Sequence, residues 1–122
     1  MKIMQLTSQV SVSDQIVVED VQTLVDQGIE LLVCNRPDGE DQGQTPYADI
    51  KAEAERLGLE IKFQPFSSYQ IKKENRDDLI ELIRTRKRLH LYCRSGSRCE
   101  RLWREANAAV GGEIQFEQAR SA

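Results

Sequence analysis

RLHLYCRSGSRCERLWREANAAVGG, residues 88–112, decides the fold. Its first six residues, Arg88 to Cys93, form a short apolar run that reads as a strand. Ser95, Gly96 and Ser97 make a turn, after which Cys99, Leu102, Trp103, Ala106 and Val110 recur at helical spacing until Gly111 and Gly112. A strand, a tight loop and a helix in direct succession form the repeating unit of an α/β sheet.

Upstream, the same alternation continues. Residues 75–87 predict a helix with Leu79, Leu82 and Ile83 on one face, Asp77 and Asp78 early and Arg84, Arg86 and Lys87 late, which suits the helix dipole. Leu59, Ile61 and Phe63 alternate with Glu60, Lys62 and Gln64 as in a half-buried strand, ended by Pro65. Before it, Thr45 caps and Pro46 opens a helix that buries Ile50, Ala54 and Leu57 and stops at Gly58. IELLVC, residues 29–34, reads as a strand buried on both faces and ended by Asn35-Arg36-Pro37-Asp38-Gly39. Residues 11–28 predict a first helix carrying Val17, Val21, Leu24 and Val25, capped by Ser13 or Asp14. The expected architecture is one α/β domain over residues 1–122, a mainly parallel four- to five-stranded sheet with helices on both faces. Residues 113–122 read as a tail or a last short helix. In such sheets ligands sit beyond the carboxyl ends of the strands, where the 93–98 and 34–40 loops are expected to face one pocket.

Composition narrows the function. A net charge of -3, with Lys and Arg scattered along the chain, speaks against a nucleic-acid partner. No apolar run approaches the roughly 20 residues needed to span a bilayer, so a soluble, cytoplasmic protein is expected. Three cysteines fit reduced thiols better than a disulfide framework. A lone histidine and unpatterned cysteines give no zinc spacing, and neither a metal nor a cofactor is expected.

The chemistry concentrates between Cys93 and Arg98. A loop that wraps an oxyanion aims successive backbone N–H groups inward, which needs Gly96 at the fold and small neighbours such as Ser95 and Ser97. The following helix adds its positive end. Arg98 can grip two anion oxygens at once, and Arg94 adds positive charge. The same field stabilises a thiolate, so Cys93 is expected to ionise below its usual value and act as the nucleophile. The bland alternative, a buried strand-end cysteine, leaves the Ser-Gly-Ser turn between two arginines unexplained. Asp38 and Glu40 are candidates to donate a proton or contact substrate, with turn chemistry as the competing reading; Arg36 either binds substrate or pairs with an acid. Cys99 is either a redox partner of Cys93 or a core residue, its helical spacing favouring the core. Cys34 and Trp103 read as packing. His90 lies three residues before Cys93, so strand alternation turns it away and no Cys–His dyad is expected.

YCRSGSR, together with NRPDGE after the upstream strand and the Trp103 helix, resembles the bacterial beta-lactamase hydrolase-like protein, phosphatase-like domain family over about residues 5–111. The resemblance implies a dual-specificity cysteine phosphatase-like fold, Cys93 as nucleophile, Arg98 as anion-binding arginine and Ser95 to Ser97 as the backbone cradle. It also suggests a metallo-beta-lactamase-like partner enzyme. Three departures from the wider phosphatase pattern stand out. Four residues separate Cys93 from Arg98 where phosphatases have five, an arrangement closer to rhodanese sulfurtransferases; Cys99 follows the arginine in place of Ser or Thr; and the segment after Phe66 contains no Asp to act as acid. Loop size places persulfide transfer slightly ahead of phosphomonoester hydrolysis. A non-catalytic anion-binding or redox-responsive module is the third reading. The substrate is accordingly a small anion, a persulfide or a phosphorylated compound.

Overall fold

The computed structural model describes residues 1–67 and 70–110. The chain runs β1 (Ile3–Gln5), β2 (Val10–Ser13), α1 (Val18–Asp26), β3 (Leu31–Cys34), α2 (Tyr47–Arg56), β4 (Glu60–Phe63), α3 (Lys73–Arg84), β5 (Leu89–Tyr92) and α4 (Ser97–Ala109). The five strands form one sheet in the order β1-β2-β5-β3-β4. β1 is antiparallel to β2, and the other neighbours are parallel. The readings of Gly111 and Gly112 as a helix stop and of residues 113–122 as a tail lie outside the described residues. Among the described residues no helix is long and apolar enough to cross a membrane.

Alternation along the strands divides the core into two layers. Val10, Val12, Leu31, Val33, Leu89 and Leu91 point to α3 and α4, where they meet Leu79, Leu82, Ile83, Leu102 and Ala106. Leu32, Cys34 and Tyr92 point to α1 and α2 and meet Val21, Leu24, Ile50 and Ala54. β3 and β5 are buried along their whole length because both faces are covered, which explains their uninterrupted apolar sequence. β4 lies at the sheet edge; Phe63 remains 42% exposed and stacks on Tyr47 at a centroid distance of 4.3 Å.

The first helix is shorter than its sequence suggests. Residues 10–13 are not its opening turn but an internal strand, paired with β1 on one side and β5 on the other. Ser13, which reads as a cap, is a ladder residue together with Ser11, and the helix begins after Val17, whose N–H is taken by Asp20 Oδ2 at 2.9 Å. Their burial has a partner that local sequence does not announce. Ser11 Oγ and Ser13 Oγ each lie 2.8 Å from a ring nitrogen of His90 on the adjacent strand. Ser13 donates its proton to the Asp14 carbonyl at 2.9 Å, so it accepts from Nε2–H while Ser11 donates to Nδ1. A neutral imidazole is thereby satisfied in a site where it is 0% exposed. Helix α2 also starts one residue later than expected: Pro46 is the cap rather than the first helical residue, and the Tyr47 N–H is taken by Asp38 Oδ1 at 2.9 Å.

Candidate active site

β5 delivers Cys93 to the carboxyl edge of the sheet, and the chain turns at once into α4. Gly96 makes that turn possible, with φ 93° just ahead of the helix. A Cβ there would also stand 3.3 Å from the Ser13 carbonyl carbon. The turn aims the Gly96 N–H at Cys93 Sγ, 3.1 Å away. Cys93 and Cys99 are fully buried. A hydrogen bond from the Cys99 thiol is the main cause that draws the Cys93 pKa down to about 5; burial opposes it, and backbone N–H groups of Cys99, Gly96 and Arg98 reinforce it. The Cys99 thiol is pushed well upward by burial and then by its neighbour Cys93. Cys93 is therefore the thiolate and Cys99 the donor.

Around this sulfur runs a chain of alternating charges. Arg98 Nη2 and Nη1 hold Glu40 Oε1 and Oε2 at 2.8 and 3.0 Å, and Nη1 also reaches the Phe66 carbonyl at 3.3 Å. Arg36, only 2% exposed, donates from Nε to the same Glu40 Oε1 at 2.9 Å and from Nη2 to Asp41 Oδ2 at 2.8 Å. Arg94 Nε lies 3.2 Å from that Asp41 oxygen. Bonding to Arg98 and then to Arg36 keeps the Glu40 carboxyl below its usual range, although burial works the other way. Three of the five Arg98 donors are thus used, leaving Nε–H and one Nη2–H on a single edge of the fork.

The structure brings together Cys93, Arg94, Arg98, Arg36, Glu40 and Cys99 as residues of one cluster, and joins the 34–40 and 93–98 loops through Glu40. Asp38 stands apart, its carboxylate occupied in capping α2. Ser95 and Ser97 are partners of each other, their hydroxyls 2.9 Å apart, with Ser95 Oγ also taking the Ser97 N–H at 3.4 Å. Cys34 faces the opposite core layer from Cys93 and donates to the Arg36 carbonyl at 3.3 Å. Trp103 packs in the α4 layer. Two members of the cluster escaped sequence reasoning: Asp41, and Gln15, whose Oε1 accepts from Arg36 Nη1 at 3.0 Å. Asp41 was visible only as one more acid in an acidic loop, and Gln15 lies two residues past the end of the unrecognised strand β2. Among the described residues no group of His, Cys, Asp and Glu is arranged to hold a metal ion.

Two outcomes follow from this geometry. Gly96→Ala is expected to destabilise the domain by about 1–2 kcal/mol through left-handed strain alone, and to weaken the thiolate because the turn must move from Ser13; denaturant titration and the alkylation pH profile of Cys93 would measure both. Stability should also rise with pH. Burial lowers the His90 pKa from 6.5 to about 4, and that of Cys93 falls from 9.0 to about 5, so the unfolded chain binds more protons in both windows. The His90 contribution, about 3 kcal/mol, is complete above pH 6.5 and lost as pH falls through about 4. The Cys93 contribution is complete above pH 9 and lost as pH falls through about 5. Urea midpoints are expected to climb from pH 4 to 9 in the wild type but to level off above pH 6.5 in Cys93→Ser. Equal curves for the two proteins above pH 6.5 would contradict a depressed thiol.

Comparison with known proteins agrees with this architecture. No curated protein matches the chain. Among solved structures, a candidate phosphatase of Neisseria meningitidis is 32% identical, with a TM-score of 0.82 over 98% of this chain and 87% of that one. A candidate phosphatase of Shewanella putrefaciens shares the fold at 14% identity, with a TM-score of 0.77 over 89% of this chain and 72% of that one. The core catalytic domain of the PP-IP phosphatase SIW14 from S. cerevisiae does so at 11% identity and a TM-score of 0.61, over 77% of this chain and 56% of that one. The fold is that of the cysteine phosphatases. With residues 2–110 matching it, the chain belongs to the family of the beta-lactamase hydrolase-like protein, phosphatase-like domain.

Proposed function

We propose that this domain is a cysteine-dependent phosphatase acting on phosphomonoesters whose leaving group departs as a stable anion. The observation that carries this reading is the Arg98 fork, held end-on by Glu40 with two donors left on one edge, in the residue whose backbone N–H bonds the Cys93 thiolate. A phosphoryl group has the matching needs: a nucleophile on one side and donors for its equatorial oxygens. Cys93 Sγ attacks phosphorus, the bond to the leaving oxygen breaks, and the loop amides with Arg98 hold the transferring oxygens. Water then hydrolyses the cysteinyl-phosphate. Because Cys93 is 0% exposed, the groups over the loop must part to admit a substrate.

The leaving-group restriction rests on the acids. Glu40 is shared by two arginines, Asp41 by two, and Asp38 caps a helix. A carboxylate bound by cations is a poor proton donor, so aryl phosphates should be cleaved far faster than alkyl phosphates. The four-residue spacing from Cys93 to Arg98 favours a second reading, persulfide transfer, in which Cys93 takes the outer sulfur of a donor such as thiosulfate and releases sulfite. The expression of these alternatives is separable. Phosphate release from an aryl phosphate, together with intact mass after incubation with thiosulfate, is to be measured for wild type and Cys93→Ser. Cys93-dependent phosphate release without an added sulfur atom supports the first reading. An added sulfur atom lost in the variant, without phosphate release, replaces it with the second.

A further inference from the structure

We propose that His90 and Ser13 are positioning residues for the anion-binding loop, holding it through the peptide that joins Asp14 to Gln15. The inference rests on the reading of residues 93–98 as that loop, but not on whether phosphate or sulfur is transferred. Three contacts dock the first half of the loop on the strip of chain that ends and follows β2. The Cys93 N–H bonds the Ser13 carbonyl at 3.4 Å, and the Gln15 N–H bonds the Arg94 carbonyl at 3.2 Å. Gly96 lies so close to the same strip that an added Cβ would stand 3.3 Å from the Ser13 carbonyl carbon and 3.6 Å from the Asp14 nitrogen.

That strip is fixed from the face of β5 opposite Cys93. Ser11 Oγ donates to His90 Nδ1 at 2.8 Å, His90 Nε2–H donates to Ser13 Oγ at 2.8 Å, and the Ser13 hydroxyl donates to the Asp14 carbonyl at 2.9 Å. The Asp14 carbonyl and the Gln15 N–H belong to one planar peptide unit. All the donors therefore point one way, from Ser11 through His90, Ser13 and that peptide to the Arg94 carbonyl, and each bond polarises the next. Pairing a buried imidazole accounts for Ser11 alone; Ser13 passes the bond on toward the loop. A trans peptide carries its N–H opposite its carbonyl, so tying down the Arg94 oxygen turns the Ser95 N–H away from Gln15 and leaves it for an oxyanion. Gln15 Oε1 also accepts from Arg36 Nη1 at 3.0 Å, so a shift of the strip would reach the charges around Glu40 as well. His90 and Ser13 thus act on the sulfur through backbone rather than by contact of their side chains with it.

Two readouts test this without turnover: the pH midpoint of Cys93 alkylation by iodoacetamide, and the protection of Cys93 by inorganic phosphate, both followed on tryptic peptide 89–94. Ser13→Ala is expected to raise the midpoint from about 5 to about 5.5–6 and to weaken phosphate protection about fivefold. Ser13→Thr, which keeps the hydroxyl, should restore both. Ser11→Ala disturbs the same buried ring on its far side and is expected to lower the urea midpoint while leaving both readouts at wild-type values. Should Ser13→Ala fold poorly, Ser13→Ala/His90→Leu removes both partners together and leaves Ser11 Oγ the Leu89 carbonyl, 3.4 Å away. That protein is expected to show the same two changes. Wild-type readouts in Ser13→Ala or in the double variant, or equal changes in Ser11→Ala and Ser13→Ala, would overturn the proposal and leave the anion-binding loop standing. A wild-type Cys93 that titrates near its ordinary value of about 8.5, or that gains no protection from phosphate, would instead overturn the loop itself and this proposal with it.

Discussion

Cys93→Ser is expected to lower kcat/KM on an aryl phosphate by about 10⁴-fold or more while leaving the domain folded. The reason is the difference between the two side chains in this loop. The thiol is held near pKa 5 by the Cys99 thiol and, against burial, by three backbone N–H groups, so at neutral pH it is almost wholly ionised. A serine hydroxyl in the same place stays protonated and needs a general base. The one histidine of the chain, His90, cannot serve: it points to the opposite face of β5 and is bound between Ser11 and Ser13. A loss of 10⁴ corresponds to about 5 kcal/mol of transition-state stabilisation. Steady-state rates with circular dichroism as a check on folding would test it. Residual activity within tenfold of wild type would mean that Cys93 is not the nucleophile. In the wild type, alkylation of Cys93 should follow a single titration centred near pH 5.

Glu40→Gln should be the most damaging change that spares the nucleophile. Glu40 Oε1 is shared by two guanidinium groups whose side chains are 2% and 7% exposed, Arg36 and Arg98. Removing the carboxylate charge leaves both buried cations without their common partner, and a glutamine amide can turn only its oxygen toward them. Complete burial of such a pair would put the loss at about 3–5 kcal/mol; because the Glu40 side chain is 28% exposed, water offsets part of it and about 2–3 kcal/mol is expected. Urea denaturation would register that directly. The kinetic effect is separate. Glu40 holds the Arg98 fork end-on, and an arginine free to swing loses the alignment of its remaining donors, which should lower kcat by about 10²-fold. A purely structural role would reduce the active fraction without altering KM or the pH midpoint of Cys93 alkylation. Positioning predicts instead a lower kcat per reactive Cys93, counted by alkylation, together with a raised KM, while the midpoint stays close to wild type because Glu40 does not touch the sulfur. An increase in activity would show instead that Glu40 competes with substrate for Arg98.

Much of the site was legible because it is local. Cys93, Gly96 and Arg98 lie within one turn of chain between a strand and a helix, and the geometry of a strand running into a helix N-terminus follows from their spacing. β3 and β5 were legible for a related reason: burial on both faces leaves an unbroken apolar run. β2 was not. VSVS carries two serines, of which Ser13 looks like a helix cap, and only pairing with β1 and β5 reveals both as buried ladder residues satisfied by His90. Glu40 and Asp38 illustrate the same limit. Two residues apart in an acidic turn, they are equivalent as sequence, yet one bridges two buried arginines and the other caps α2.

By itself, then, the amino-acid order determined the α/β class, the strand-loop-helix unit that carries Cys93, and the residue types able to bind an anion there. These depend on periodicity, turn chemistry and short-range spacing. Tertiary structure alone decided the sheet order, the roles of Asp38, Glu40 and Asp41, and the contact between the thiols of Cys93 and Cys99. Each of those depends on which distant groups meet in a buried space, where one charge or hydrogen bond outweighs local preference because water is no longer there to take its place.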